Sequence, residues 1–232
     1  MRCVVLLSGG IDSSTCLAIA RSMGYECHAM TVLYGQRHSR EVRSAEAVSR
    51  SLGAVEHRVI ELPTGTLDGS SLTGGSEVPR DRDIDEVRDI PSTYVPARNL
   101  LFLSMAVSWA EVIDADAVFI GATSIDYSGY PDCRPEFLRS FQRTSELATK
   151  RGAEGRPIKI MAPLLKMSKG EIIKKGRELG LDLGMTWSCY SGGERPCMAC
   201  DSCLFRAKGF AEAGMTDPLL VGRGPVDDER GR

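Results

Sequence analysis

The chain has 232 residues, 42% of them hydrophobic and 26% charged, with a formal net charge of −2. That composition excludes a collagenous, coiled-coil or wholly disordered chain. The small negative charge argues against a general basic surface for nucleic acid, and no apolar run reaches the roughly 20 residues that a membrane-spanning helix requires.

Apolar segments alternate with helical periodicity from the start. Cys3 to Leu7 reads as a buried strand, and Asp12 to Met23 as a helix with Cys16, Leu17, Ile19 and Ala20 on one face. Cys27 to Tyr34 predicts a second strand, Glu41 to Leu52 a second helix stopped by Gly53, and Val55 to Glu61 a third strand. This β-α-β-α-β order predicts an α/β fold, a parallel twisted sheet with helices on both faces and right-handed crossovers. Residues 63–96, rich in Gly, Ser, Asp and Arg, break the pattern and predict a long functional or mobile loop. Order resumes with a helix at Arg98–Val112, a strand at Ala117–Gly121, a helix at Pro135–Arg151, a strand at Ile158–Ala162 and a helix at Ser168–Leu179. Ser168 and Glu171 have the spacing of a capping box. The expected organisation is an α/β domain over residues 1–185, a cysteine-bearing segment over 186–215 packed on it, and a disordered polar tail at 222–232. The first apolar run, Val4 to Leu7, is too short for a signal-peptide core, which predicts a cytoplasmic protein.

The loop Ser8-Gly9-Gly10-Ile11-Asp12-Ser13-Ser14 lies between a strand and a helix. The first N–H groups of a helix have no partner within it and carry partial positive charge. Two glycines let an anion reach the main chain, and three serines add hydroxyl donors, so the loop reads as a phosphate cradle. A carboxylate beside phosphates requires a cation between them, so Asp12 points to Mg2+. The alternative is a plain strand-to-helix turn with Asp12 as a cap.

Cys189, Cys197, Cys200 and Cys203 crowd into fifteen residues, with Gly192, Gly193 and Pro196 giving the backbone room to turn. In a reducing compartment four clustered thiols suggest a metal before disulfides. Four thiolates suit tetrahedral Zn2+ in a closed structural site. An iron–sulfur cluster, whose common ferredoxin patterns the spacing does not fit, and a cluster without metal are the alternatives. Cys3, Cys16 and Cys27 fall in core-like elements. Cys133 has only His28, His38 or His57 as an imidazole partner, and an activated thiol needs such a base, so a nucleophilic role is not expected of it.

Ser-Gly-Gly-x-Asp-Ser after a first strand resembles the pyrophosphate loop of the ATP pyrophosphatases, and Pro163-Leu164 followed by Lys169 and Glu171 matches a second mark of that family. Three further blocks, Tyr34-Gly35-Gln36-Arg37-His38, Pro91 to Asn99 and Ser128 to Arg134, together with the cysteines, resemble the 7-cyano-7-deazaguanine synthases within it. The likeness runs from the first strand to about Gly209, and residues 64–88 and the tail carry little of it.

The resemblance implies a Rossmann-like, adenine nucleotide alpha hydrolase-like fold and an ATP-dependent ligase of queuosine biosynthesis. Its substrates would be 7-carboxy-7-deazaguanine, ammonia and ATP. An adenylated acid, an amide and an adenylated amide would lead to the nitrile, with release of AMP and pyrophosphate. It implies ATP bound by Leu7, Ser8, Gly9, Gly10, Ile11, Asp12, Ser13, Ser14, Thr15, Cys16 and Leu17, with Mg2+. Catalytic roles would fall to Asp12, Lys169 and Arg98, and substrate contacts to Tyr34, Gln36, Arg37, Asn99, Asp132 and Arg134, Asp126 competing with Asp132 for the base. It further implies a homodimer without nucleic acid or membrane as partner. Three alternatives stand beside it: a tRNA thiolase, a related enzyme acting on another acid, and a non-enzymatic nucleotide-binding module.

Overall fold

The structure is a computed structural model and describes residues 1–35, 40–74, 77–83, 90–123 and 129–221. Five parallel strands, β1 (Arg2–Leu6), β2 (Glu26–Leu33), β3 (Glu56–Glu61), β4 (Ala117–Phe119) and β5 (Lys159–Met161), form one sheet in the order β3-β2-β1-β4-β5. The helices are α1 (Ile11–Ser22), α2 (Arg40–Ser51), α3 (Arg98–Val112), α4 (Pro135–Ala148), α5 (Lys150–Ala153), α6 (Lys169–Glu178) and α7 (Asp201–Ala213). Most predicted boundaries hold to within one or two residues.

The period of two in β1 explains the layering. Cys3 and Val5 face a core with Leu17 of α1, Val48 of α2, Ile172 and Ile173 of α6 and Phe210 of α7. Val4 and Leu6 face a second core with Leu103, Val107 and Trp109 of α3 and Leu138 and Phe141 of α4. A central parallel strand buried on both faces is apolar at every position, as β1 is after Arg2.

Two expectations need correction. The helix expected over Pro135–Arg151 is two: the backbone turns extended at Thr149, whose hydroxyl donates to Ser145 O at 2.8 Å and accepts from Gly152 N at 3.1 Å. The cysteine segment also carries a full helix, α7, that the sequence reading did not place. Cys200 is its N-cap residue, and Gly214 ends it in the left-handed conformation at φ 66°. The capping box of α6 is present in full.

Within residues 63–96, the described part holds no helix or strand. It packs instead on the cysteine segment, through a bridge between Arg80 and Cys200 and a bond from Asp81 N to Ala199 O of 2.8 Å. The strand order reverses beside β1: the chain winds outward through β2 and β3, then returns to place β4 on the other side of β1. Such a reversal opens a crevice at the carboxyl ends of the strands. Among the described residues no helix is long and apolar enough to cross a membrane. The expected tail, 222–232, lies outside the described residues.

Candidate active site and metal cage

A cavity of about 710 Å3 occupies that crevice, and Leu6, Leu7, Val32, Ile120 and Gly121 form its floor. Its volume suits a nucleotide-sized ligand. The phosphate-type loop forms one wall. Ser8 N donates to Ser13 Oγ at 3.1 Å, the two hydroxyls lie 2.9 Å apart, and Gly10 N donates to Ser8 Oγ at 3.3 Å, which rigidifies the turn. Gly9 has φ 83°, and a Cβ there would lie 2.5 Å from Glu41 O and 2.6 Å from Ala45 N. Only glycine lets α2 pack so closely on the loop.

Asp12 does not cap α1; Gly10 holds the N-cap position. The Asp12 carboxylate is instead gripped by Lys169 Nζ, at 2.8 Å to Oδ1 and 2.6 Å to Oδ2. The stem of Lys169 lies across Gly209 of α7, and Gly170 N donates to Glu212 Oε2 of α7 at 3.1 Å. Of the residues expected at the nucleotide, Leu7, Ser8, Gly10, Ile11, Asp12 and Ser13 line the cavity. Gly9 sits behind the loop against α2. Ser14, Thr15, Cys16 and Leu17 are fully buried, Cys16 and Leu17 within the core.

Arg98 also lines the cavity and donates to Tyr34 Oη at 3.1 Å. Asn99 lines it too and donates through Nδ2 to Cys133 Sγ at 3.0 Å. Thr93 and Tyr130 are joined at 3.1 Å between hydroxyls, and Tyr130 stacks on Tyr94 with ring centroids 5.8 Å apart.

Two residues expected at the substrate stand elsewhere. Asp132 is buried and accepts Asn99 N at 2.8 Å, so it caps the first turn of α3 and does not line the cavity. Burial raises its pKa, against that hydrogen bond and Arg98. Arg134 is exposed at the N-cap of α4. Gln36, Arg37, His38 and Asp126 lie outside the described residues.

Sequence reasoning missed Glu41, Tyr190 and the α7 residues Phe205, Lys208 and Glu212, all of which line the cavity. Glu41 could have been noticed as an acid in the first turn of a helix leaving the rim. Burial pushes its pKa up to about 7, with Arg98 pulling it down and Cys189 raising it. The α7 residues carried no signal, because their helix was not foreseen.

The sulfurs of Cys189, Cys197, Cys200 and Cys203 lie within 4.8 Å of one another, and Cys197 and Cys203 are 4.0 Å apart. A tetrahedral Zn2+ with bonds of about 2.3 Å sets its sulfurs about 3.8 Å apart, so the cage fits. Backbone N–H groups support it: Cys197 N and Ser191 N donate to Cys189 Sγ at 3.2 and 3.4 Å, and Cys200 N to Cys197 Sγ at 3.3 Å. Hydrogen bonds from the Cys200 and Cys203 thiols hold Cys189 well below the ordinary thiol range. These are the surroundings that orient metal thiolates. The cage also touches the loop. Trp187 N donates to Gly9 O at 2.9 Å, Trp187 Nε1 donates to Cys189 O at 3.0 Å, and Arg40 covers the Trp187 ring at 4.3 Å.

Fold and site together define a parallel α/β protein with a phosphate-type loop at the crevice of its sheet and four cysteines that could hold a metal ion. The family model described as "Queuosine biosynthesis protein QueC" matches residues 2–214. A 7-cyano-7-deazaguanine synthase from Syntrophobacter fumaroxidans is 53% identical over 221 residues, covering 94% of each chain. One from Alcanivorax borkumensis is 54% identical over 220 residues, covering 94% of this chain and 97% of its own. The chain belongs to this QueC family of 7-cyano-7-deazaguanine synthases. Among solved structures, NMN synthetase from Francisella tularensis overlaps 97% of this chain and 79% of its own at a TM-score of 0.49 and 14% identity, too distant to carry an argument.

Proposed function

We propose that this protein converts 7-carboxy-7-deazaguanine and ammonia to 7-cyano-7-deazaguanine at the expense of ATP. The observation that carries the reading is the Lys169–Asp12 pair, closing the phosphate loop inside one cavity that Arg98, Tyr34 and Asn99 also line.

The chemistry follows from poor leaving groups. A carboxylate oxygen leaves only after adenylation, which transfers AMP to it and expels pyrophosphate. Ammonia then displaces AMP and gives the amide. A second adenylation, on the amide oxygen, allows AMP to leave again and the nitrile to form. Such reactions ask the protein for alignment and charge neutralisation. Ser8, Gly10 and Ser13 would orient the triphosphate, and Lys169 would turn from Asp12 toward the phosphates. Asp12 would hold Mg2+, which when bound neutralises charge on the departing pyrophosphate. Arg98 would pair with the substrate carboxylate through two parallel hydrogen bonds, and Tyr34 and Asn99 would flank the base. Zn2+ in the cysteine cage would be structural, holding the 187–190 segment and α7 against the loop.

The test is mass spectrometry of the purified protein with 7-carboxy-7-deazaguanine, Mg·ATP and ammonium. Nitrile with two AMP per product is expected. A folded, zinc-loaded protein without substrate-dependent AMP release would refute the reading.

A further inference from the structure

The carboxylates on the cavity wall can be sorted by their partners among the described residues. Asp12 is held by Lys169, Glu212 accepts Gly170 N at 3.1 Å, and Asp201 pairs with Arg82 at 3.3 Å. Glu41 also lines the cavity, and its carboxylate has no hydrogen bond or ion pair with any other described residue. Its place is not incidental. Glu41 occupies the first turn of α2, and its carbonyl oxygen is one of the atoms that forbid a side chain at Gly9. The carboxylate is thus carried on the backbone that packs against the phosphate loop. Arg98 lies near enough to act on it electrostatically.

The reaction proposed above has a requirement that none of its assigned residues meets. Attack by ammonia leaves a positively charged nitrogen that must lose a proton, and dehydration of the amide must strip two more from the same atom. We propose, resting on that reading, that Glu41 is the catalytic base that accepts these protons. In the first half, the ammonia nitrogen forms the C–N bond, one N–H proton passes to the Glu41 carboxylate, the C–O bond to AMP breaks, and Glu41 then releases that proton to solvent. In the second half, adenylation of the amide oxygen releases pyrophosphate. Glu41 takes one proton from the cationic nitrogen and delivers it to solvent. It then takes the last as the C–O bond to AMP breaks and the nitrile forms. A positioned base of this kind contributes about 10²–10⁴-fold.

Adenylation itself needs no such transfer, and this separates the outcomes. Wild type and Glu41→Gln are compared in three assays: exchange of labelled pyrophosphate into ATP dependent on 7-carboxy-7-deazaguanine, amide and nitrile formation with ammonium, and hydroxamate formation with hydroxylamine. Hydroxylamine forms an attack adduct acidic enough to give its proton to water. The expected result for Glu41→Gln is exchange within about threefold of wild type, ammonia-dependent product down by about 10²–10⁴-fold, and hydroxamate formation largely restored. Glu41→Asp, which keeps a carboxylate, recovers part of the ammonia-dependent rate. Wild-type exchange together with a parallel fall of all three activities in Glu41→Gln overturns the role of Glu41 alone, as does an unchanged ammonia-dependent rate. Absence of exchange in the wild type overturns the adenylating reaction and this role with it.

Discussion

The pair that closes the phosphate loop depends on an empty space in another helix. A Cβ on Gly209 would lie 2.2 Å from Lys169 Cγ, 3.0 Å from Lys169 Cβ and 2.9 Å from Ile173 Cδ1. Carbon atoms in contact sit about 3.5–4.0 Å apart, so Gly209→Ala must drive the Lys169 stem back by more than about 1 Å. Displacement on that scale near a reacting centre costs on the order of 100-fold in rate, or about 2.7 kcal/mol. Overpacking against Ile173 adds a stability cost of about 1–3 kcal/mol, which for a chain of this size lowers Tm by roughly 2–12 °C. The variant is therefore expected to fold at assay temperature. Substrate-dependent pyrophosphate exchange is the assay, with metal content and Tm measured alongside. Exchange should fall about 100-fold, and Lys169→Ala added to Gly209→Ala should cost little more, because the two changes remove one function. An exchange rate near that of wild type in a destabilised Gly209→Ala protein would refute the argument that α7 places this lysine.

Three further outcomes are expected. Arg206 is buried and bonded to Asp217 at 2.6 and 2.9 Å and to Thr186 Oγ1 at 2.9 Å, so Arg206→Ala strands a buried carboxylate at a cost of about 3–5 kcal/mol, read as a fall in Tm; adding Asp217→Asn should recover part of it. Lys169→Met in an otherwise normal protein should lower exchange by about 10²–10³-fold, the usual loss when a transition-state charge partner is removed, with little change in Tm. Elemental analysis should find one zinc per chain, and chelation under reducing conditions should lower Tm and activity together, because the cage reaches the loop through the Trp187–Gly9 bond of 2.9 Å.

What could be read in the sequence was local. Short continuous apolar runs mark β1 and β2, and the spacing of Ser8, Gly9, Gly10, Asp12 and Ser13 lies within one short stretch of chain. The capping box of α6 is a four-residue pattern and was legible for the same reason. The misses are tertiary. Asp132 finds its partner in the backbone of Asn99, a residue 33 positions away, so its capping role cannot be seen in its own block. Helix α7 has Cys200 and Cys203 at its start, and their spacing as ligands obscured a helix whose Phe210 and Ala213 pack in the core with α6. Thr149 looks like an ordinary helical position until its hydroxyl is seen serving two helices at once.

The strand order has a consequence for synthesis on the ribosome. β1 is made before the other four strands and stands at the centre of the finished sheet, flanked by β2 and β4. Its β2 neighbour emerges at once, but β4 begins only at Ala117. At about 5–20 residues per second, the 55 residues between the end of β3 at Glu61 and the start of β4 at Ala117 take about 3–11 s to make. Through that interval the apolar strand at the heart of the protein presents a bare hydrogen-bonding edge, the template on which nascent chains mispair. The nascent chain should need chaperone protection most in that window, and slow codons between Pro63 and Pro96 should lower the yield of soluble enzyme more than slow codons after β4.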